Sequence, residues 1–407
     1  MSRRLFSSAS RLLQQTRIPA TYYRGGTSRA LLFHARDLPP SREAWNRIFL
    51  GAMGSPDPHG RQLDGMGGGI SSLSKVCVVG ASPRADAQVE FTFAQVGIRS
   101  ADVDYAGNCG NMSSAVGPFA MEAGLVPQTL QNGGPESDSG SGPGVLTTVK
   151  LYNTNTQKRI DATFPVTATG TPQLSGSEEE FAIDGVAGTG ARIRLDFVDP
   201  AGSKTGSLLP TGGPVDEIQG VRASCVDAGN PCVFVHASEP ALGLGRLMSQ
   251  RKSHLADIRP EDLQAQQRTL DKLELVRQHA TVKMGMASSL DEVPASIPKI
   301  CIVDGPTPRP AGDMDAVDVT VRAISTQQPH KALPITAGLA LSAAARLEGT
   351  VVHECLQGPG DGDGEGIRIG HPSGKLDVGA RYVDGKLQST TVYRTARRLM
   401  EGGVYVD

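Results

Sequence analysis

One lysine of this chain is placed where an amine could act as a base. Lys75 stands in an apolar run that predicts a strand, and Ser72 and Ser74 lie just before it. Lysine is rarely buried without a partner or a task. Burial lowers its pKa from the usual value of about 10.4, and the neutral amine can then abstract a proton near neutral pH. The alternative is a lysine at a strand end whose ammonium reaches solvent along its alkyl stem.

A cysteine stands where a buried helix is predicted to begin. The segment Asn108-Cys109-Gly110-Asn111 leads into a run of small apolar residues. Helix starts present unpaired backbone N–H groups and the positive end of the helix dipole, which suit a substrate carboxylate. The same field lowers a cysteine pKa and favours the thiolate. Cys109 is therefore a candidate acid or base, and a cysteine that packs in the core is the alternative.

Two further segments have the composition of an anion site. A second helix start, without a thiol, is predicted at Thr336-Ala337, and two such starts meeting in a cleft would hold a di- or tricarboxylate. The segment 24–29, Arg-Gly-Gly-Thr-Ser-Arg, places guanidinium groups and hydroxyls around a glycine turn, which is typical of anion recognition. For that segment an ordinary basic turn is the alternative.

The composition argues against several other classes of protein. The 407 residues include 40 basic and 42 acidic side chains, a formal charge of −2, which disfavours a nucleic-acid binder held by its overall field. No run approaches the roughly 18 apolar residues of a membrane span. The six cysteines form no C-x-x-C pair, so we expect reduced thiols and no structural zinc.

Two glycine-rich segments fail to match the cofactor sites that they resemble. In 65–69 the third glycine of G-x-G-x-x-G would be Ile70, and no Walker lysine spacing is present. The segment 361–366 begins like a calcium loop, but its twelfth position would be Pro372 rather than glutamate. We therefore expect no nucleotide cofactor and no metal.

The amino terminus has the composition of a targeting sequence. Residues 1–17 carry four arginines and four serines, and the first acidic residue of the chain is Asp37. An amphipathic, arginine- and serine-rich segment without acids is typical of a mitochondrial transit peptide. A disordered basic tail on a cytoplasmic protein is the alternative. In either case the segment is excluded from the fold prediction.

The chain contains an internal duplication. Three pairs of segments resemble each other in the same order: 31–37 and 233–239, 74–79 and 298–303, and 109–111 and 336–338. Their offsets of 202, 224 and 227 drift only as insertions would require. We interpret the chain as two similar halves, 18–200 and 201–407.

Each half has the same predicted elements. β-rich apolar runs predict strands, and one small-residue segment in each half, 110–123 and 336–347, predicts a helix that is buried all round. Loops are predicted at 133–144 and 358–366, and a helical insertion over the second half at 247–290. The predicted strands are 76–79, 147–152, 192–197, 301–303 and 318–324. The predicted fold class is α+β, with two pseudo-symmetric lobes, each a curved, mostly antiparallel sheet wrapped round a central helix.

The motifs together resemble those of the PrpF-type 2-methylaconitate cis-trans isomerase family, in order and from about residue 18 to 407. The family is similar in fold to diaminopimelate epimerase, which has the two lobes predicted above. The matching motifs are R-G-G-T-S-R (24–29), D-G-M-G-G-G-x-S-S-x-S-K (64–75), N-C-G-N-x-S-S-A-V-G-P-F-A (108–120), L-P-T-G (209–212), H-K-A-L-P (330–334), H-P-S-G (371–374) and R-T-A-R-R (394–398).

The resemblance implies a cofactor-independent isomerase of unsaturated di- and tricarboxylates, of the methylaconitate or aconitate type, that moves an allylic proton. It implies that Lys75 and Cys109 are catalytic. Thr336 stands where diaminopimelate epimerase has its second cysteine, which disfavours a two-thiol racemase mechanism. With the helix starts included, the predicted substrate contacts are Thr27, Ser28, Arg29, Ser72, Ser74, Asn108, Gly110, Asn111, Met112, Ser113, Thr336 and Ala337.

Other functions on the same scaffold stay open at this stage. Within the enzyme class they are a 4-oxalomesaconate tautomerase and a 3-methylitaconate delta-isomerase, because no motif reads the third substituent of the substrate. A different class is a non-catalytic protein that binds small acids, since a fold alone does not guarantee activity. The expected partner is a small polycarboxylate, with no nucleic acid and no membrane, and a monomer or a homodimer is left open.

Overall fold

Strands dominate the structure, a computed structural model. It describes residues 15–126, 145–177, 180–250, 254–306, 316–325, 327–356 and 366–406. The strands are β1 (Thr16–Gly25), β2 (Ser28–His34), β3 (Lys75–Ala81), β4 (Val89–Val96), β5 (Val103–Asp104), β6 (Val145–Asn153), β7 (Lys158–Val166), β8 (Glu180–Ala182), β9 (Thr189–Ala191), β10 (Ile193–Val198), β11 (Asp216–Ile218), β12 (Val221–Ala228), β13 (Asn230–His236), β14 (Lys299–Asp304), β15 (Val319–Ser325), β16 (Gln328–Pro329), β17 (Gly366–His371), β18 (Gly374–Val383), β19 (Lys386–Arg394) and β20 (Ala396–Val406).

The α-helices are fewer and lie on both faces of the strands. They are α1 (Arg42–Met53), α2 (Gly110–Glu122), α3 (Gly245–Gln250), α4 (Pro260–Gln264), α5 (Gln267–Lys283), α6 (Ile335–Ala344) and α7 (Val351–Cys355). The predicted strands are confirmed in β3, β6, β10, β14 and β15, and the two buried helices are confirmed in α2 and α6. Helix α6 ends at Ala344, before the predicted residue 347, and the chain then enters a turn.

One sheet runs through both halves with the same pairing pattern twice. In the first half β1, β2, β3, β4, β6, β7 and β10 pair in that order. In the second half β12, β13, β14, β15, β17, β18 and β19 pair in that order. The parallel pairs fall at equivalent places, β2–β3 with β4–β6 in one half and β13–β14 with β15–β17 in the other. The two halves join where β10 pairs with β19.

The duplication extends to the register of single residues. Leu31 is paired with Val76 in the first half, and Val233 is paired with Ile300 in the second. Those partners differ by the same offsets, 202 and 224, that relate the repeated sequence segments. The predicted two-lobed α+β class is therefore confirmed.

The last strand closes the molecule on the first. Strand β20 pairs with β1 along the full length of β1, and helix α1 packs against β20. Strand β11 has the equivalent edge position beside β12. The division at residues 200 and 201 stays a prediction, and the final strand contributes to the sheet of the first half.

The two central helices pack so closely against the sheet that small residues are required. A side chain on Gly117 of α2 would lie 2.8 Å from Cε1 of Phe164, and one on Gly338 of α6 would lie 2.9 Å from Cδ2 of Leu376. Both helices are buried along almost their entire length. They share one core with the inner faces of both halves, which holds their amino-terminal ends together.

The outer faces are covered differently in the two halves. Helix α1 covers strands of the first half, and α5 packs over β11 and β14 of the second, as predicted for 247–290. No helix of the described residues is long and apolar enough to span a membrane. The predicted loops at 133–144 and 358–366, except Gly366, and residues 1–14 of the predicted targeting segment lie outside the described residues.

Candidate active site

The starts of the two central helices meet at the seam between the halves. A methyl group on Gly110, the first residue of α2, would lie 2.7 Å from Cγ2 of Ile335, the first residue of α6. Gly107 approaches Ile297 in the same way, with a distance of 2.9 Å from an added Cβ to Cγ2. Only glycine allows this approach, so the sequence around Cys109 brings two positive helix ends to one place.

We expect Gly110→Ala to destabilise the protein by about 1–3 kcal/mol, because overpacking at Ile335 forces the helix starts apart. Urea unfolding measures this change, and activity should fall with it. Gly245→Ala is the matched control, since an added Cβ at Gly245 meets nothing within 4 Å. Equal stability of the two variants would contradict the close approach.

A small cavity lies between these helix starts. Its volume is about 40 Å³, and the lining residues are Ser28, Ser71, Lys75, Phe93, Gln95, Gly107, Asn108, Cys109, Gly110, Asn111, Ser296, Lys299, Ser325, His330, Pro334, Ile335 and Thr336. A larger depression of about 470 Å³, on the outer side of α5, is lined mainly by glutamines and contains no lysine, cysteine or histidine. The small cavity therefore holds the candidate amine and thiol.

The amine of Lys75 lies inside the protein and not in bulk solvent. The residue is 7% exposed, and Nζ donates a hydrogen bond to Oε1 of Gln95 (2.5 Å) and lies 5.2 Å from the ring centre of Phe93. Burial lowers the pKa of Lys75, a thiolate at Cys109 acts in the opposite direction, and the charge of Lys299 lowers the pKa further. No carboxylate contributes to this balance, so the surroundings favour the neutral amine.

Gln95 fixes the position of that amine. Its Nε2 donates to the backbone carbonyls of Ser74 (2.9 Å) and Ser71 (3.2 Å), which turns Oε1 towards Lys75. Strand pairing sets the contact, because Lys75 on β3 stands opposite Gln95 on β4. A neutral amine that donates one N–H to Gln95 keeps its lone pair free for a proton.

Cys109 lies at the amino-terminal cap of α2 and is partly exposed to the cavity. Its Sγ is 3.9 Å from Oγ of Ser28, and its carbonyl accepts hydrogen bonds from the N–H groups of Met112 and Ser113. The N–H groups of Gly110 and Asn111 in the first turn have no partner inside the helix and can bind an anion.

The second half repeats this arrangement with other side chains. Oγ1 of Thr336 accepts a hydrogen bond from Nδ2 of Asn230 (3.2 Å), and the pair occupies the positions of Cys109 and Ser28. Asn230 also binds the backbone of Asn108 through two hydrogen bonds. The two halves are therefore tied together directly behind the helix starts.

A second lysine, which the sequence prediction did not include, faces the same cavity. Lys299 begins β14 and is 9% exposed, and its Nζ donates to the carbonyl of Ser296 (3.1 Å). It is the repeat equivalent of Lys75, at the offset of 224. The duplicated segments Ser74-Lys75-Val76 and Pro298-Lys299-Ile300 contained this signal.

Two buried polar atoms of the cavity have no hydrogen-bond partner within the described part of the chain. They are Oγ of Ser296 and Nδ1 of His330. Burial lowers the pKa of His330 to about 4, and the charge of Lys75 acts in the same direction, so the imidazole is neutral at pH 7. A neutral imidazole and a hydroxyl can hydrogen-bond a polar ligand without adding charge.

Seven of the predicted site residues line the cavity: Ser28, Lys75, Asn108, Cys109, Gly110, Asn111 and Thr336. The other seven do not line it: Thr27, Arg29, Ser72, Ser74, Met112, Ser113 and Ala337. Met112 and Ala337 are fully buried in the core between the helices and the sheet. Ser113 directs its hydroxyl to the carbonyl of Cys109 (3.5 Å). The side chains of Met112, Ser113 and Ala337 are thus occupied elsewhere, and these three residues can reach a ligand only through their backbone groups.

Strand alternation explains the position of Arg29. Successive side chains of β2 point to opposite faces, so Ser28 faces the cavity and Arg29 faces away. The guanidinium of Arg29 lies 5.6 Å from the ring centre of Tyr22, on the outer side of the sheet. Arg24, from the same predicted anion loop, donates to the carbonyls of Gly26 and Thr395.

The remaining predicted residues support the walls of the site. Oγ1 of Thr27 accepts a hydrogen bond from Nδ2 of Asn111 (3.0 Å) and so orients that amide. Ser74 donates its hydroxyl to Oε1 of Gln62 (2.6 Å), while Ser71, three residues earlier, lines the cavity. Ser72 is half-buried beside it, outside the lining.

The cysteines are separate thiols, and the possible metal ligands do not cluster in the described part of the chain. All six cysteines are free. Among the described residues no three His, Cys, Asp or Glu side chains form a group that could hold a metal ion. The cavity chemistry therefore consists of two amines, one thiol, one imidazole, hydroxyls and amides.

Comparison with known proteins gives a consistent result along nearly the whole chain. The family model described as PrpF protein matches residues 15–407. The chain is 37% identical to 3-methylitaconate isomerase of Eubacterium barkeri, covering 97% of this chain and 98% of that protein. It is 36% identical to 2-methyl-aconitate isomerase of Cupriavidus necator, covering 96% and 98%. A crystal structure of methylitaconate-delta-isomerase superimposes with a TM-score of 0.70 at 36% identity, covering 96% of each chain.

Proposed function

The chain belongs to the PrpF family and is an isomerase, and from that premise we propose that it moves an allylic proton in an unsaturated di- or tricarboxylate. The observation that carries this proposal is the buried amine of Lys75, which lacks a carboxylate partner and faces Cys109 across a cavity between two helix starts. A base of this kind is needed because a carbon-bound proton next to a double bond and a carboxylate is only weakly acidic.

In the proposed reaction the neutral Nζ of Lys75 takes the proton from carbon. The electron pair of the broken C–H bond passes into the allylic system and its carboxylate, which gives a dienolate. A proton returned to the far end of that system shifts the double bond. If the intermediate rotates and the proton returns to its original carbon, the product is the cis–trans isomer.

The new negative charge requires stabilisation where it develops. The N–H groups of Gly110 and Asn111 and the start of α6 at Thr336 point their positive ends at the cavity. Lys299 adds a cationic side chain from the second half. Preorganised donors and charges of this kind typically contribute about 10²- to 10³-fold each to the rate.

Cys109 has a supporting or a direct part in this scheme. As a thiol it can return the proton, and as a thiolate it raises the pKa of Lys75. The thiolate therefore lowers the fraction of Lys75 that is neutral at a given pH. We propose Lys75 as the base that takes the proton.

Substrate entry requires movement of the cavity walls. A volume of about 40 Å³ has room for a few water molecules and not for a dicarboxylate. The seam between the halves is held by Asn230, Asn108 and Thr336, so separation of the lobes would have to loosen those hydrogen bonds. We propose that the polycarboxylate binds to a more open form and is enclosed afterwards.

The proposal is tested by incubating the purified protein in D₂O with cis-aconitate, trans-aconitate, 2-methylaconitate and 3-methylitaconate, each in turn. We expect isomerisation of at least one acid, with deuterium found at the carbon that receives the proton. 4-Oxalomesaconate serves as the additional substrate that distinguishes a tautomerase. If the protein neither isomerises any of these acids nor introduces deuterium into them, the proposed reaction is refuted.

A further inference from the structure

Three arginines of the described chain are buried, and one of them differs from the other two. Arg277 forms an ion pair with Glu274 (2.7 Å). Arg322 donates to the backbone carbonyls of Ile258, Ala256 and Val321 at 2.6–2.8 Å. Both guanidinium groups are thus satisfied within the protein, as a buried charge requires. The third is Arg394.

Arg394 is 5% exposed and has almost no internal compensation. In the residues that the structure describes, Nη1 donates to the carbonyl of Tyr393 (3.3 Å), and the buried Nε has no partner. Among the described residues, no carboxylate lies within salt-bridge distance of the Arg394 guanidinium. Burial alone lowers the pKa of Arg394 to about 9, so the group keeps its charge at neutral pH. A guanidinium in this state is costly unless it binds an anion.

The position of Arg394 connects it to the candidate active site. Strand β19 alternates between buried and half-buried residues, and Arg394 lies on the buried face with Val392 and Thr390, which faces the central helices. A side chain on Gly26 would meet both Oδ1 of Asn111 and, at 3.1 Å, Cδ of Arg394. Asn111 lines the cavity, so Arg394 lies directly behind that amide.

The other neighbours of Arg394 do not compensate the positive charge of its guanidinium. Burial lowers the pKa of His371 to about 4, and Arg394 lowers it further, so this imidazole is neutral at pH 7. Its Nδ1 already accepts a hydrogen bond from the N–H of Ser373 (3.2 Å). Gly26 has a φ of +50°, and its lack of a side chain leaves room for Asn111 and Arg394 to lie close to each other.

We propose that Arg394 forms a carboxylate subsite behind Asn111, which holds the carboxylate on the middle carbon of a tricarboxylate substrate, a group that takes no part in the proton transfer. This inference rests on the proposed function. The planar guanidinium matches a carboxylate with two parallel hydrogen bonds, and the buried surroundings strengthen them. When the cavity opens for the substrate, Asn111 is the side chain that separates the subsite from the reacting carbons.

The test uses the full chain and two inert acids. Tricarballylate has three carboxylates and no double bond, and glutarate lacks the middle one. Isothermal titration measures both Kd values for the wild type and for Arg394→Gln. We expect the substitution to weaken tricarballylate binding roughly 10- to 100-fold and to raise KM by a similar factor, because a charged hydrogen-bonded pair is lost. Glutarate binding should change much less, because glutarate lacks the carboxylate that Arg394 would hold. The effects of substituting Arg394 and of removing that carboxylate are therefore expected to be non-additive.

Arg322→Lys is the matched control, because it alters a buried arginine held only by backbone carbonyls. It should lower the melting temperature and leave the ratio of the two Kd values unchanged. If Arg394→Gln does not fold, Arg394→Lys keeps the charge but loses the paired geometry, and we expect the same selective loss. An unchanged tricarballylate Kd in the Arg394 variant, or an equal loss for glutarate, overturns the subsite alone. A wild type that binds no polycarboxylate and isomerises none contradicts the proposed function as well.

Discussion

Lys75→Met is expected to lower kcat by about 10²- to 10⁴-fold, the range that a positioned general acid–base group contributes. Methionine has nearly the shape of lysine and keeps the packing against Phe93, but it cannot accept a proton. It also leaves Oε1 of Gln95 without its donor. The measurement is the rate of isomerisation together with the rate of deuterium uptake in D₂O, and both should fall together.

Lys386→Met is the control for this substitution, because Lys386 is the exposed first residue of β19 and does not line the cavity. It should leave both rates unchanged. The same pair of variants separates an enzyme from a protein that only binds acids, since a binder would show an altered Kd and no turnover to lose. Deuterium uptake at the wild-type rate in Lys75→Met would mean that another group is the base.

The pH dependence of the wild type follows from the same amine. The base acts when it is neutral, so kcat/KM rises as the pH increases through the pKa of Lys75. Because burial lowers this pKa from the value of a free lysine, the rise is expected at a lower pH than for an exposed amine. A neutral His330 adds no charge to the cavity over the same range.

The sequence predicted the parts of the site that local rules determine. The glycines and small residues after Asn108 predicted a buried helix, and the structure places its start at Gly110. The repeated segments predicted two equivalent halves, and the strand register reproduces their offsets. A charged residue in an apolar strand pattern marks Lys75 in the sequence, and the structure places it in the lining of the cavity.

The missed residues depend on pairings between distant parts of the chain. Gln95 reaches Lys75 only because β3 and β4 pair in one register, and nothing in the sequence of β4 marks it. His330 follows a two-residue strand that no periodic pattern reveals, and only the motif H-K-A-L-P (330–334) marks it. Lys299 was different, because the repeat comparison had already aligned it with Lys75. The duplication itself marks Lys299 as the equivalent of Lys75 in the second half.

The position of Arg29 illustrates the opposite case. Its neighbour Ser28 lines the cavity, and a shift by one residue along a strand reverses the face that a side chain occupies. Sequence motifs identify the segment but not its face, so Arg29 was included with Ser28. The buried arginine that the structure brings behind the helix start is Arg394, 365 residues later in the chain, and strand pairing between β1 and β20 brings its end of the chain there.

The second large effect is expected at Lys299. Lys299→Met removes a positive charge from the cavity wall opposite Lys75, and we expect kcat/KM at neutral pH to fall about 10²-fold, as when one electrostatic stabiliser of a developing anion is lost. The charge of Lys299 lowers the pKa of Lys75. Its removal therefore raises that pKa, leaves less neutral amine at a given pH, and moves the ascending limb of the pH profile to higher pH.

This shift distinguishes an electrostatic role from a structural one. Lys299→Arg retains the charge and should keep the limb near its wild-type position, even if its different shape lowers kcat. A variant that merely loosened β14 would lower the melting temperature without moving the limb. Measuring kcat/KM from pH 5 to pH 10 for the wild type and both variants decides between these outcomes. An unmoved limb in Lys299→Met would show that the two lysines act independently, and the repeat would then have preserved the residue for the hydrogen bond to the carbonyl of Ser296 alone.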